Sequence, residues 1–137
     1  MDDVMFSSKS DLWSTPDDFF AELDKEFHFT LDVCATADNA KCDDYYTEAM
    51  DGLSLKWDGI VWCNPPYGRN INKWIKKAIN AALGGATVVM LLPARTDTKW
   101  FHELVYRRAE IRFVRGRLKF GGSNNAAPFP SMICIFG

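Results

Sequence analysis

Two consecutive prolines placed directly after an apolar run constrain this chain more than any other feature. Ile60-Val61-Trp62-Cys63 reads as a buried strand. Asn64-Pro65-Pro66-Tyr67-Gly68 must end it, because proline has no N–H to give a sheet ladder and holds φ near one value. A helix follows: Ile71, Trp74, Ile75, Ala78, Ile79 and Ala82 recur at i, i+3, i+4, i+7, i+8 and i+11. Lys73, Lys76 and Lys77 fall outside that face, and Gly84-Gly85 ends it. Strand, rigid turn and helix in that order build an open α/β sheet, whose ligands bind beyond the carboxyl ends of its strands. An amide, two carbonyls and an aromatic ring are thereby placed at such an edge.

Those residue types suit one kind of chemistry. An exocyclic amine on a planar base is a poor nucleophile, because its lone pair is delocalised into the ring. The Asn64 side-chain oxygen can accept one N–H and the Pro65 carbonyl the other. Two acceptors on one side favour a pyramidal nitrogen with its lone pair aimed at an electrophile. Pro65 and Pro66 stiffen the turn, so the acceptors need not reorganise during reaction. Tyr67 offers a flat face on which a base taken out of its helix can stack. The competing reading of the four residues is a plain turn.

The rest of the chain fits the same architecture. Residues 1–13 read as a loosely held arm. Thr15 can cap a helix with Pro16 at its first position, Asp17 and Asp18 favour its first turn, and Phe19, Phe20, Leu23 and Phe27 share one face. Phe29–Val33 reads as the first strand, and the small residues Cys34, Ala35, Thr36 and Ala37 follow without a G-x-G pattern. Residues 38–58 are polar and too few for two further strand–helix units, so the middle of the domain is trimmed. Ala86–Leu92 is continuously apolar, as in a strand buried on both faces. Arg95, Thr96 and Lys99 in the next strand-end loop are candidate phosphate contacts, and Thr98 is placed to cap a helix with the face Phe101, Leu104 and Val105. Glu110–Val114 is a strand. Gly116 is a turn, and Leu118 and Phe120 alternate with Arg117 and Lys119 as in a hairpin partner. Gly121–Ser131 is an uncharged loop of a length that is often functional, expected to cover the base pocket or touch a nucleic acid. Met132–Phe136 closes the sheet. The expected fold is a single α/β domain over residues 1–137, with a mixed twisted sheet and flanking helices.

Charge is distributed unevenly. Residues 1–68 carry 4 Lys/Arg against 15 Asp/Glu, whereas residues 69–119 carry 12 against 3. Such asymmetry favours a face meant for an anion over mere solvation of two opposite faces, and Arg69, Lys73, Arg95, Thr96, Lys99, Arg117 and Lys119 are the candidates for nucleic-acid binding. No apolar run approaches the roughly 20 residues that cross a membrane, and the acidic start lacks a signal peptide's pattern, so the cytoplasm is expected. Cys34, Cys42, Cys63 and Cys134 include no C-x-x-C pair, and His28 and His102 are isolated, so no metal site is expected.

Asn64-Pro65-Pro66-Tyr67 resembles the catalytic motif of the amino-methyltransferases. The ordered set Thr15-Pro16 with Phe19-Phe20, Phe29–Thr36, Asp51-Gly52-Leu53, Trp62–Tyr67, Leu92–Thr98 and Gly116–Phe120 is similar to the small phage and prophage DNA N6-adenine methyltransferases of the Dam family. That resemblance implies a reduced Rossmann-like class I methyltransferase fold, S-adenosylmethionine as methyl donor, double-stranded DNA as partner and, for a phage-encoded chain, the bacterial host's cytoplasm. It implies catalytic roles for Asn64, Pro65, Pro66 and Tyr67. It implies donor contacts from Thr15, Pro16, Asp32, Cys34, Ala35, Asn39, Asp51 and Asn64, with Phe20 nearby. Asp32 would meet the amino end of the donor's methionine part or serve as a strand-end carboxylate in a turn. Asn39 or Asp38 would reach the ribose, and Asp51 the adenine amine unless Asp51-Gly52 is only a turn. Two alternatives stand beside adenine: the same chemistry on cytosine N4, an RNA base or a protein glutamine, and a degenerate domain that binds DNA without the donor.

Overall fold

The computed structural model describes residues 14–122 and 125–137; the arm expected over residues 1–13 lies outside them. Five strands form one mixed sheet: β1 (Leu31–Asp32), β2 (Ile60–Cys63), β3 (Thr87–Pro93), β4 (Glu110–Phe113) and β5 (Ser131–Phe136), in the order β1-β2-β3-β5-β4. The first three run parallel, in the registers Leu31–Val61 and Val61–Val88. β5 is antiparallel to β3, with Ser131 opposite Pro93, and to β4. The carboxyl ends of β1, β2 and β3 and the start of β5 therefore share one edge. The fold class expected from the sequence is the one observed: α/β, with a mixed sheet and flanking helices.

Burial on both faces follows from alternation along the strands. Val88, Met90 and Leu92 of β3 face one core with Val61, Cys63 and Cys134, covered by α2 (Ile71–Leu83) through Ile71, Trp74, Ile75 and Ala78. Val89 and Leu91 face the other core with Trp62, Ile133 and Ile135, covered by Phe20 of α1 (Asp17–Phe27) and by Phe120, Ala127 and Phe129. Each fully buried side chain of this kind stabilises by about 1.5–3 kcal/mol relative to exposure.

The trimmed middle is real. Between β1 and β2 the chain makes only two short 3₁₀ turns, Glu48–Met50 and Gly52–Ser54, and an isolated bridge from Asp32 to Tyr45. Gly52 makes this compact packing possible: a Cβ there would lie 2.5 Å from the Val33 carbonyl oxygen, and the Gly52 carbonyl accepts the Trp57 indole N–H at 2.8 Å. Gly52→Ala is expected to destabilise the protein by about 1–3 kcal/mol, as overpacking against backbone does; urea unfolding measures it.

Two local expectations are corrected, at the start of α1 and at Leu118–Phe120. Thr15 does not cap α1, and Pro16 precedes its first turn rather than filling it; the helix starts at Asp17 without a side-chain cap. Thr98 caps the short helical stretch that follows it, as expected: its hydroxyl accepts the Phe101 N–H at 3.2 Å, and Phe101, Leu104 and Val105 pack on the core. Leu118–Phe120 forms no hairpin strand, because Phe120 turns into the core and the Leu118 carbonyl accepts the Ala127 N–H at 2.8 Å instead. The uncharged stretch before β5 is partly core, with Ala127 and Phe129 buried.

Candidate active site

Asn64 follows directly on β2, where Pro65 and Pro66 stop the ladder. The turn opens onto a cavity of about 530 Å³ along the shared strand edge, within the size range of small-ligand sites. Asn64, Pro65, Pro66 and Tyr67 line it, together with Thr15, Asp32, Cys34, Ala35, Asn39 and Asp51. The structure thus gathers every expected catalytic residue and all the expected donor-contact residues except Pro16. Pro16 stays outside, its carbonyl accepting the Phe20 N–H at 3.0 Å. Phe20 packs in the core against Trp62, 5.3 Å between ring centroids, and Asp38 does not line the cavity.

The turn is held from two sides. The Asn64 Nδ2 donates to Thr15 Oγ1 at 3.1 Å, and Thr15 is itself buried. The Tyr67 hydroxyl donates to the Leu91 carbonyl at 3.1 Å, and its ring meets Phe129 edge-on at 5.5 Å. Burial pushes the Tyr67 phenol well above its ordinary range, so it stays protonated. Among the described residues, no hydrogen-bond donor meets the Pro65 carbonyl.

The loop after β1 closes the opposite wall without glycine. Asp32 Oδ1 accepts the Cys34 N–H at 3.2 Å and Oδ2 the Lys41 N–H at 3.0 Å, so one carboxylate gathers both ends of the loop. Asn39 Oδ1 accepts the Thr36 N–H at 2.7 Å, and its Nδ2 donates to Ser14 Oγ at 3.0 Å. Lys41 reaches across to Asp17 on α1. Asp32 is 2% exposed. Burial pushes its carboxyl up to about 6, against the lowering effect of the bonds from Lys41 and Cys34. Cys34 lines the cavity, but burial and the carboxylates of Asp32 and Glu48 push its thiol up to about 12, so it is no nucleophile.

Sequence reasoning missed Ser14, Lys41, Thr47, Glu48 and Trp74 as cavity residues. Trp74 was legible only as part of the packing face of α2. The place of Glu48 depends on a turn that no sequence pattern marks.

The basic candidates are not brought to one spot. Arg69 lines the cavity and also a second hollow between α2 and the stretch 99–104, of about 430 Å³, where Lys76 and Lys99 join it. Arg95 lies over the Phe129 ring at 5.6 Å, and Arg117 Nη1 donates to the Ala127 carbonyl at 3.2 Å. Lys73, Thr96 and Lys119 are exposed and line neither hollow. Among the described residues there is no group of three His, Cys, Asp or Glu able to hold a metal ion, and no helix is long and apolar enough to cross a membrane.

A mixed sheet whose second strand runs into Asn-Pro-Pro-Tyr, over a strand-edge cavity, has the architecture of a methyltransferase. The chain matches the family described as DNA N-6-adenine-methyltransferase (Dam) over residues 4–135, and it belongs to that family. It is 36% identical over 111 residues to the DNA N-6-adenine-methyltransferase of Escherichia phage T1, covering 79% of this chain but 46% of that protein. It is 32% identical over 138 residues to the DNA N-6-adenine-methyltransferase of Haemophilus phage HP1, covering 94% of this chain and 80% of that one. The chain therefore spans under half of the first relative and most of the second.

Proposed function

We propose that this protein methylates the N6 amine of adenine in double-stranded DNA, with S-adenosylmethionine as donor, and that residues 1–137 act as one domain. The observation that carries this reading is the placing of Asn64 and Pro65 at the lip of a cavity whose far wall is the loop after β1. The donor set fits the proposed cofactor: a buried carboxylate, Asp32, for an ammonium; apolar Val33, Leu53 and Trp74 along the walls; Glu48 and Asp51 for polar groups. S-adenosylmethionine, when bound, supplies a methyl group on a sulfonium centre, an electrophile that needs no strong base to be attacked.

The chain's own residues then do the rest. Asn64 Oδ1 and the Pro65 carbonyl accept the two N–H groups of the flipped base and hold its nitrogen pyramidal. Pro65 and Pro66 keep the acceptors fixed. Tyr67, tethered at Leu91 and braced by Phe129, offers its ring to the base. Asp32, Cys34, Ala35, Asn39 and Asp51 wall the donor side. Arg69 and Lys99 hold phosphates beside the cavity, and Lys73, Arg95, Thr96, Arg117 and Lys119 extend the basic surface.

The test is incubation with labelled donor and DNA, followed by identification of the labelled nucleoside by mass spectrometry. N6-methyladenine is expected; N4-methylcytosine, or label in RNA or protein alone, overturns the reading. Replacing Arg69 and Lys99 together by alanine is expected to weaken DNA binding across all sequences and to lower the slope of log K against log salt by about 2. Fluorescence anisotropy over a salt series measures that slope.

A further inference from the structure

Thr15 has a role that capping does not explain. It is 4% exposed, and its hydroxyl oxygen accepts from the amide of Asn64, forty-nine residues away. The segment carrying it is fastened on both sides. Ser14 Oγ accepts from Asn39 Nδ2 at 3.0 Å, and the Ser14 carbonyl accepts the Gly121 N–H at 2.9 Å. Thr15 is thus set by contacts to the loop after β1 and to the stretch before β5, not by its own helix.

An amide side chain has an accepting arm and a donating arm of nearly equal shape. An amine substrate needs the oxygen arm, which obliges the NH₂ arm to face the other way, toward Thr15. An NH₂ group turned toward the buried Thr15 with no acceptor there would lose a hydrogen bond that it makes in water. From this geometry, and on the amine-methylation reading above, we propose that Thr15 is a positioning residue whose hydroxyl holds the Asn64 amide turned with its oxygen toward the substrate amine. The resemblance to the Dam family implies a different role, contact with the donor, and the two roles separate experimentally.

The experiment compares the full chain with Thr15→Val and Thr15→Ser. The side-chain amide of Asn64, assigned by its disappearance in Asn64→Asp, is followed by ¹⁵N NMR and hydrogen exchange without any ligand. Methyl transfer to DNA and calorimetric binding of S-adenosylmethionine are measured in parallel. In Thr15→Val the Asn64 NH₂ signal is expected to shift and exchange faster, and kcat to fall roughly tenfold, as the loss of one hydrogen bond's orientation predicts. Donor affinity should stay within twofold, and Thr15→Ser should restore both signal and rate. An unchanged Asn64 signal in Thr15→Val overturns the proposal; so does a fall in donor affinity large enough to account for the whole loss of rate. Should no protein, wild type included, methylate adenine, the substrate reading fails, while the Asn64 signal still decides the role of Thr15.

Discussion

Asn64→Ala is expected to lower kcat by about a hundred- to a thousandfold while the protein remains folded. The magnitude is that of removing one preorganised polar group from a site of developing charge. Two features of the structure make the loss specific to the chemical step. Asn64 lies at the cavity lip, partly exposed, rather than in either core, so truncation leaves the packing of Trp62 and Cys63 intact. Its side chain donates to the Thr15 hydroxyl, and the net stability in such a bond is about 1 kcal/mol. The melting transition should therefore move by only a few degrees. The wall formed by Asp32 and the loop after β1 is untouched, so donor affinity should persist. Single-turnover rates with saturating donor, read beside thermal unfolding, separate these quantities. A rate within threefold of wild type would remove Asn64 from the proposed chemistry.

What the sequence made legible is what local pattern dictates. The double proline fixed the end of β2, the helical spacing of Ile71 to Ala78 fixed the face of α2, and the apolar run of β3 announced burial on both sides. The short span between Asp38 and Asp58 rules out two strand–helix units by length alone, whatever its residues are. What stayed hidden depends on tertiary placement. Thr15 looks like a helix cap because Thr-Pro-Asp-Asp is a good start signal, yet its hydroxyl is drawn to Asn64. Arg117 to Phe120 alternates like a strand, but Phe120 gains more by filling the core against Phe129, 6.0 Å between centroids, than by pairing at an edge. The missing G-x-G after β1 is the feature of the sequence that suits a degenerate domain without the donor. The structure gives a physical reason to read it otherwise: Asp32, Thr36 and Asn39 satisfy the loop's N–H groups with side-chain oxygens, so the backbone bends around the cavity without left-handed residues.

Asp32 carries the second large effect, and pH exposes it. Its carboxyl, ordinarily near 3.8, is pushed up to about 6 in the folded protein by burial. The folded chain therefore holds this proton more tightly than the unfolded one. The group's contribution to stability is fully present below the ordinary value and is lost as pH rises through about 6. Above that, the folded protein keeps an ionised carboxylate in a nearly dry wall, where the N–H groups of Cys34 and Lys41 and the charge of Lys41 offset burial only in part. A cationic ligand offsets that penalty, because it favours the same ionised form that burial disfavours. If Asp32 meets the donor's ammonium, affinity for S-adenosylmethionine should rise about tenfold per pH unit below 6 and level off above it, while the unliganded protein loses stability across the same window. Asp32→Asn should flatten the affinity profile and weaken binding on the order of a hundredfold at pH 8, the cost of removing one partner from a buried charge pair. Calorimetry from pH 5 to 8 on both proteins gives the answer. A flat wild-type profile, with Asp32→Asn binding equally well, would leave Asp32 as the clasp of its own loop and move the ammonium to another wall of the cavity.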